Sequence, residues 1–461
     1  MLVIRNAQME AFKKHAEEQF IEDIVRHLNK HHRECIGELP DVELRARIEK
    51  GLARARTYGI GGGPGLTAFV GLMFEIAPNF DEHPAIHAVL TDTSISPARR
   101  MDELIHRTSE DDWEQAQRRL LAWWRCEAVD RACIQVTAPR DGVTPRPIAD
   151  PGSVEARWTD LDYALESQAE RIRCTYYGGE AFPLFHANLG PDIFAGFLGA
   201  PIHFAPDTSW ADPIITDWET RPRLELDADN YWWRLMIDLL RAAADAGRGK
   251  WITGIPDTHA GGDALAALRG RQELCFDLID RPDAVQAAMA ELTALVDPVY
   301  SAFFACVDWQ ANGSSSGWLP TWSTGRCNVI QCDLLALISP AMAERFFLDE
   351  LVVQARWLDQ VIYHLDGPQC ISHLDWLLAI PEIRAVQWVP GAGQPPMRAW
   401  IPLLKRIQTA GRALHLTVTP ADIEPLLAEL EPAGLMLHTQ VDGEAEAREL
   451  IRRVAAWSRR R

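Results

Sequence analysis

His364 and Asp366 stand two positions apart in QVIYHLDGPQC, directly after the apolar run Val361–Tyr363 and just before Gly367 and Pro368. An imidazole titrates near neutrality, so it can move protons or hold a metal. A carboxylate beside it can share the metal or orient the ring. Asp257 and His259 form a second pair in ITGIPDTHAGGDAL, just before Gly261 and Gly262, where backbone can approach a ligand closely. These four residues are the candidate catalytic groups. Cys332, followed by Asp333, ends the run Val329–Cys332 and adds a thiol. His364, Asp366 and Cys332 are the candidate metal ligands, with His259 or His438 as other possible third donors. His186, Asn188, Trp318, Gln387 and Trp388 are the candidate substrate contacts. Each residue also has a plain structural account: a histidine bonded to the next strand, an aspartate capping the segment near Ile371, a cysteine or tryptophan filling the core.

The elements that must position these groups repeat. Short apolar runs at Phe182–Ala187, Trp251–Ile255, Gly313–Leu319, Val329–Cys332, Val361–Tyr363, Val386–Val389, Ala413–Val418 and Leu435–His438 alternate with amphipathic helical segments. Alternating β and α elements predict a parallel α/β sheet. Eight repeats over roughly the ~250 residues usual for the fold predict a closed (β/α)8 TIM barrel, with its polar residues converging where the strands end. A ninth run, Cys133–Ala138, is expected outside or below the barrel. An open doubly wound sheet is the alternative, but no GxGxxG follows a first strand.

Residues 1–115 read as a small all-α module that precedes a barrel at 116–461. Helices are predicted at Ala7–Lys30, Leu44–Tyr58 and Leu66–Ile76, with the glycine-rich run Gly59–Gly65 as a linker. A further helix, Trp113–Arg125, is expected to open on the acidic turn Ser109–Asp112. The module carries no catalytic constellation, so packing or a protein partner is its expected role.

Bulk composition narrows the field. The chain has 65 acidic against 46 basic residues, a net charge of −19, which disfavours nucleic acid. No apolar run reaches the ~18 residues of a membrane span, and the first residues are too polar for a secretory leader. A cytoplasmic protein with free thiols is expected, since its nine cysteines form no CxxC pair. Seventeen tryptophans are many, and Trp210, Trp218, Trp232, Trp233, Trp318 and Trp322 gather in loop-like segments that could wall a site for a flat or cationic ligand.

Four stretches resemble one family in order along the chain: GGDALAALRGRQELCFDLIDRPDAVQAAMAEL (261–292), VIQCDLLALISPAMAERFFLDEL (329–351), VIYHLDG (361–367) and IPEIRAVQWVPGAG (380–393). Together they resemble the uroporphyrinogen decarboxylase superfamily, which includes corrinoid-dependent methyltransferases, over about 340 residues. The resemblance implies a barrel with a cleft at the strand C-termini. For the methyltransferase branch it implies zinc held by a His-x-Cys pair and a later cysteine, and a corrinoid carried by a partner protein. This chain keeps the histidine as His364, places Asp366 where the cysteine would stand, and has no cysteine in its last strands. For the decarboxylase branch it implies an arginine-bearing RQAGR-like segment, which is absent. Methyl transfer between a small methylated substrate and a corrinoid or thiol is thus the leading expectation. Decarboxylation of a carboxylated, tetrapyrrole-like substrate by acid/base chemistry is the alternative, and a non-catalytic ligand-binding barrel a third.

Overall fold

The computed structural model describes residues 6–459 apart from positions 32, 38, 76, 94, 98, 99 and 258. The chain divides into two units, 1–115 and 116–461. The boundary falls inside one helix, Arg100–Trp124. That helix has no glycine or proline to stop it, so Ser109–Asp112 lie within it and do not open it.

The first unit is helical. Its helices include Asn6–His31, Asp41–Thr57, Gly63–Glu75 and Pro84–Thr91. Asp41 and Glu43 sit in the first turn of the second of these, where acidic side chains meet the positive end of the helix dipole. The glycine-rich run is only partly a linker, because the next helix begins at Gly63. Ile76, the expected end of that helix, lies outside the described residues. Leu28, Ile48, Leu52, Phe69 and Val70 form a core of the unit's own. Its buried carboxylate, Asp81, is paired with Arg54 and accepts a hydrogen bond from Tyr58 at 3.1 Å.

The second unit is mixed α/β. Its strands are β1 (Cys133–Pro139), β2 (Thr175–Gly179), β3 (Leu184–Phe185), β4 (Ile202–Phe204), β5 (Ser209–Ala211), β6 (Ile252–Thr253), β7 (Cys327–Ile330), β8 (Gln360–Asp366), β9 (Ile383–Val389), β10 (Ala413–Thr417) and β11 (Leu435–Gln440). Seven of them form one sheet in the order β2-β1-β11-β10-β9-β8-β7. It is parallel except for β2, which runs antiparallel to β1. β3 and β6 make a separate parallel pair, extended by a bridge from Ile255 to Ser316, and β4 with β5 makes a small hairpin.

This differs from the expected eight-stranded ring in three ways. Among the described residues, backbone pairing does not run continuously around a closed ring. Gly313–Leu319 is not a strand: Gly313 has φ 74°, and Ser314 and Ser316 make single bridges to separate partners. The ninth run, expected outside, is β1, an interior strand of the main sheet. Ile134, Val136 and Ala138 on one of its faces belong to the large core, and Gln135 on the other is buried too. A strand covered on both faces is nearly all apolar, which is why it cannot be told from a peripheral run by pattern alone.

One stretch, Pro282–Cys306, is long and apolar enough to cross a membrane by length and composition. In the fold it is two helices, Pro282–Ala294 and Val296–Cys306, whose buried faces join the core. The described cysteines are free thiols. Of the terminal basic cluster, 460 and 461 lie outside the described residues.

Candidate active site

Parallel strands that end together bring together whatever follows them. β6, β7 and β8 are followed by Asp257–Asp263, Asp333 and Asp366. Two trios of donor atoms result, each with all atoms within 4.8 Å of one another: His259, Asp263 and Asp333, and Asp333, His364 and Asp366. Asp333 belongs to both.

Local structure explains how each group is held. Gly367 turns the chain at φ 78° after β8, and no side chain caps the helical turn that follows. Asp366 therefore does no capping work. His364 Nδ1 lies 2.6 Å from Oε1 of Gln387, its register partner on β9. The amide oxygen accepts, so Nδ1 is the donor in this pair and Nε2 is the ring nitrogen left for another partner. The Trp318 ring stands edge-on to the His364 ring, 5.1 Å between centroids at 89°. Asp263 accepts backbone N–H bonds from Asp333 and Leu334, both at 2.9 Å, so one carboxylate ties the β6 loop to the β7 loop. Gly262 permits this approach, because a Cβ there would meet Cys332 Sγ at 2.7 Å.

Charge in this region is not neutralised by lysine or arginine. Among the described residues, Asp257, Asp263, Asp333 and Asp366 form no ion pair with either. Burial, reinforced by the Asp333 charge, lifts the Asp263 carboxyl to about 6. Burial also lifts Asp366, against the pull of His364. His259 has φ 38°, unusual for a residue with a side chain, and its Nε2 is 3.1 Å from Asp257 Oδ2. Burial opposes the imidazolium, but Asp257, Asp263 and Asp333 outweigh it and hold His259 at about 9. The same pairing holds Asp257 low despite its burial.

Cys332 takes no part in either trio. It is buried against Gly262 and Phe347, and burial pushes its thiol well above its ordinary range. The donor beyond that strand is its neighbour Asp333, which opens the short 3-10 turn Asp333–Leu337, while Cys332 stays in the extended segment before it. The alternation of side chains along a strand corrects Trp388. Gln387 faces His364, so Trp388 points to the other face of β9, where it is fully buried and packs on Trp400 at 5.0 Å. Trp388 is a core residue and not a substrate contact.

His186, Asn188 and Trp318 line a cavity of about 500 Å³ beside the trios, with His438, Arg171 and Tyr177 among its other walls. His186 fits because Gly317 has no side chain, and burial lowers its pKa to about 4. Of the six tryptophans expected around a site, only Trp318 does so. Trp233 stacks on Phe303 in the core, Trp218 lies against Arg269, Trp232 against Phe204, Trp322 is buried, and Trp210 is exposed and stacked on His203. His373 is fully buried and accepts from Trp376 at 3.4 Å, away from the trios. His415, on β10, is fully buried with neither ring nitrogen bonded, beside His438 at 6.1 Å. The residues missed by sequence reasoning were Asp263 and Arg171. Both lie inside helices, and only the fold shows which turn of a helix meets a strand end.

No family model matches the chain, and no curated protein matches it. Among solved structures, a methyltransferase from Methanosarcina mazei is similar with a TM-score of 0.47 and 13% sequence identity, over 74% of this chain and 98% of that one.

Proposed function

We propose that the second unit is a metal-dependent transferase, and that its reaction is methyl transfer between a small methylated substrate and a corrinoid or thiol acceptor. One observation carries the reading: Asp333, His364 and Asp366 present three donor atoms within 4.8 Å, with no lysine or arginine among the described residues to neutralise them. A divalent cation fits such a set. One imidazole and two carboxylates suit zinc or a harder metal, and Gln387 orients the imidazole as ligating histidines require. When bound, the metal would supply Lewis acidity, activating a thiol or polarising a substrate atom. The chain's own residues then do the rest. Asp257 holds His259 as an imidazolium, a fixed positive charge and proton donor beside the shared Asp333. Trp318 packs against the His364 ring at right angles and limits its movement on that side. We also read the two strand groups as walls of one barrel, with the trios at its mouth. The zinc, the corrinoid and its carrier protein rest on the family resemblance in sequence.

The Asp257–His259 pair favours a second reading, metal-free acid/base chemistry such as decarboxylation, because a carboxylate-oriented histidine is a complete proton-transfer device. Metal content decides between them. Purified wild type should hold a divalent metal by mass spectrometry, and His364→Ala and Asp333→Ala should lose it. Methylcobalamin with a thiol should then be demethylated by wild type alone, followed by visible absorbance. Metal-free wild type that retains activity would retire the first reading in favour of the second.

A further inference from the structure

The cavity beside the trios has walls of a different character. Among the described residues, Arg171 is its one charged wall residue and no Asp or Glu lines it, in a chain whose net charge is −19. Arg171 lies in the helix Leu161–Cys174, and the hydrogen bonds of its guanidinium go to neutral acceptors, the Gln168 side chain at 3.3 Å and the Leu184 carbonyl at 3.2 Å. Among the described residues it has no carboxylate partner. Gln168 is itself committed, since its amide grips the backbone N–H and carbonyl of His186 at 2.9 and 2.5 Å. Two further wall residues carry buried polar atoms with no hydrogen-bond partner, His186 Nε2 and Trp318 Nε1, and the buried Tyr177 phenol beside them has Thr175 as its neighbour. Phenol and indole are donors, imidazole can be one, and a guanidinium is only a donor. Arg171 is exposed to solvent and needs no acceptor, but a buried donor without one is costly, and the Trp318 indole in the same wall is such a donor.

We propose that this cavity is the seat of a carboxylate-bearing small molecule, whose acid group is gripped by Arg171 and Tyr177 and whose body lies along Trp318. A planar carboxylate matches the guanidinium fork and can take two N–H bonds at once, with lone pairs left for the phenol. Trp318 belongs to both places, lining the cavity and touching His364. A ligand anchored at Arg171 is thereby kept with its acid group off the carboxylate trios, which would repel it, and with its other end toward them. The inference rests on the proposed function for what happens at that other end, but not for the binding itself.

The test is calorimetric titration of the full chain with benzoate, and with benzamide as the neutral body of the same shape. Wild type binds benzoate and binds benzamide at least about tenfold more weakly, as expected for one charge-assisted pair. Arg171→Gln weakens benzoate by a similar factor, and Tyr177→Phe by less. Melting curves of the unliganded variants check folding. Should Arg171→Gln not fold, Arg171→Lys, which keeps the charge but not the fork, carries the same expectation of weaker binding. No binding by wild type, equal binding of benzamide, or unchanged binding by the arginine variants overturns the proposal. Loss on His364→Ala with the arginine variants intact also overturns it, by placing the acid at the trios. Metal content of the same samples is read separately, so benzoate binding to a metal-free protein would sink the transferase reading and leave this one standing.

Discussion

Glu180 and Asp333 are carboxylates of the same unit, and their surroundings are opposite. Glu180 is fully buried and completely served. Arg131 donates to its two oxygens at 2.7 and 2.8 Å, Arg119 adds a bond at 3.3 Å, and the Ile134 backbone N–H adds one at 2.7 Å. Asp333 stands among Asp263, Asp366, His259 and His364 with no arginine or lysine to meet it. A buried charge is tolerable only when hydrogen-bonded and paired. Glu180 meets that condition from within and ties β1 to the turn after β2. In the trios the carboxylates outnumber their cation: Asp257, Asp263 and Asp333 share the His259 imidazolium, and none of them pairs with an arginine or lysine among the described residues. The contrast separates a carboxylate that builds the fold from carboxylates that the fold must hold apart from their natural partners.

The comparison can be broken most decisively by activity. His364→Ala or Asp333→Ala should lower turnover by roughly 10²–10⁴-fold while the melting temperature changes little. A variant that melts far below wild type would make these residues structural after all. Glu180→Ala should do the reverse. It leaves Arg131 buried without its partner and should cost ~3–5 kcal/mol in denaturant unfolding, with turnover per folded molecule kept. Equal stability would dissolve the distinction between the two regions.

A pH experiment sharpens the comparison further. Glu350 is lifted to about 8 by burial, with Asp263 adding to it and the Gln354 hydrogen bond opposing. Its folded value lies above the unfolded value of about 4.3. The unfolded state therefore ionises first, and stability present at acid pH is lost as pH rises toward 8. Wild type should lose melting temperature between about pH 5 and 8 relative to Glu350→Gln; parallel curves for the two proteins would refute this. The smallest effect is expected for Asp333→Asn, which keeps shape and removes one of several crowded negative charges. Its stability should change by no more than ~1 kcal/mol and in the favourable direction, even though its activity is lost. A large destabilisation would mean that Asp333 serves the fold as Glu180 does.

Much of this was legible in the sequence because strand ends are local. His364, Asp366, Asp257 and His259 follow apolar runs directly, so their place at strand ends follows from pattern alone. His186 and Asn188, just after β3, were legible for the same reason, and they line one cavity with Trp318, whose segment is not a strand. The errors have physical causes. Trp388 was one residue from the right answer, because a strand's alternation sets which of two neighbours faces inward, and the phase is invisible without the partner strand; Cys332 was one residue from Asp333, whose place is set by the turn that follows β7. Gly313–Leu319 looked like a strand because it is short and buried, but its serines bond to their own backbone and to the neighbouring turn.

Sequence by itself determined the class of the second unit, its alternation of strand and helix, the all-α character of the first, and the acidic balance that sets the charge of any ligand apart. Those are properties of composition and of periods two and near four along one chain. Tertiary structure alone decided that Asp263 reaches across to the backbone of Asp333, that Asp333 is common to two donor sets, and that Arg171 lines a cavity with no carboxylate partner among the described residues. Each is a relation between residues that distant segments bring within a few ångströms, and no local pattern encodes such a distance.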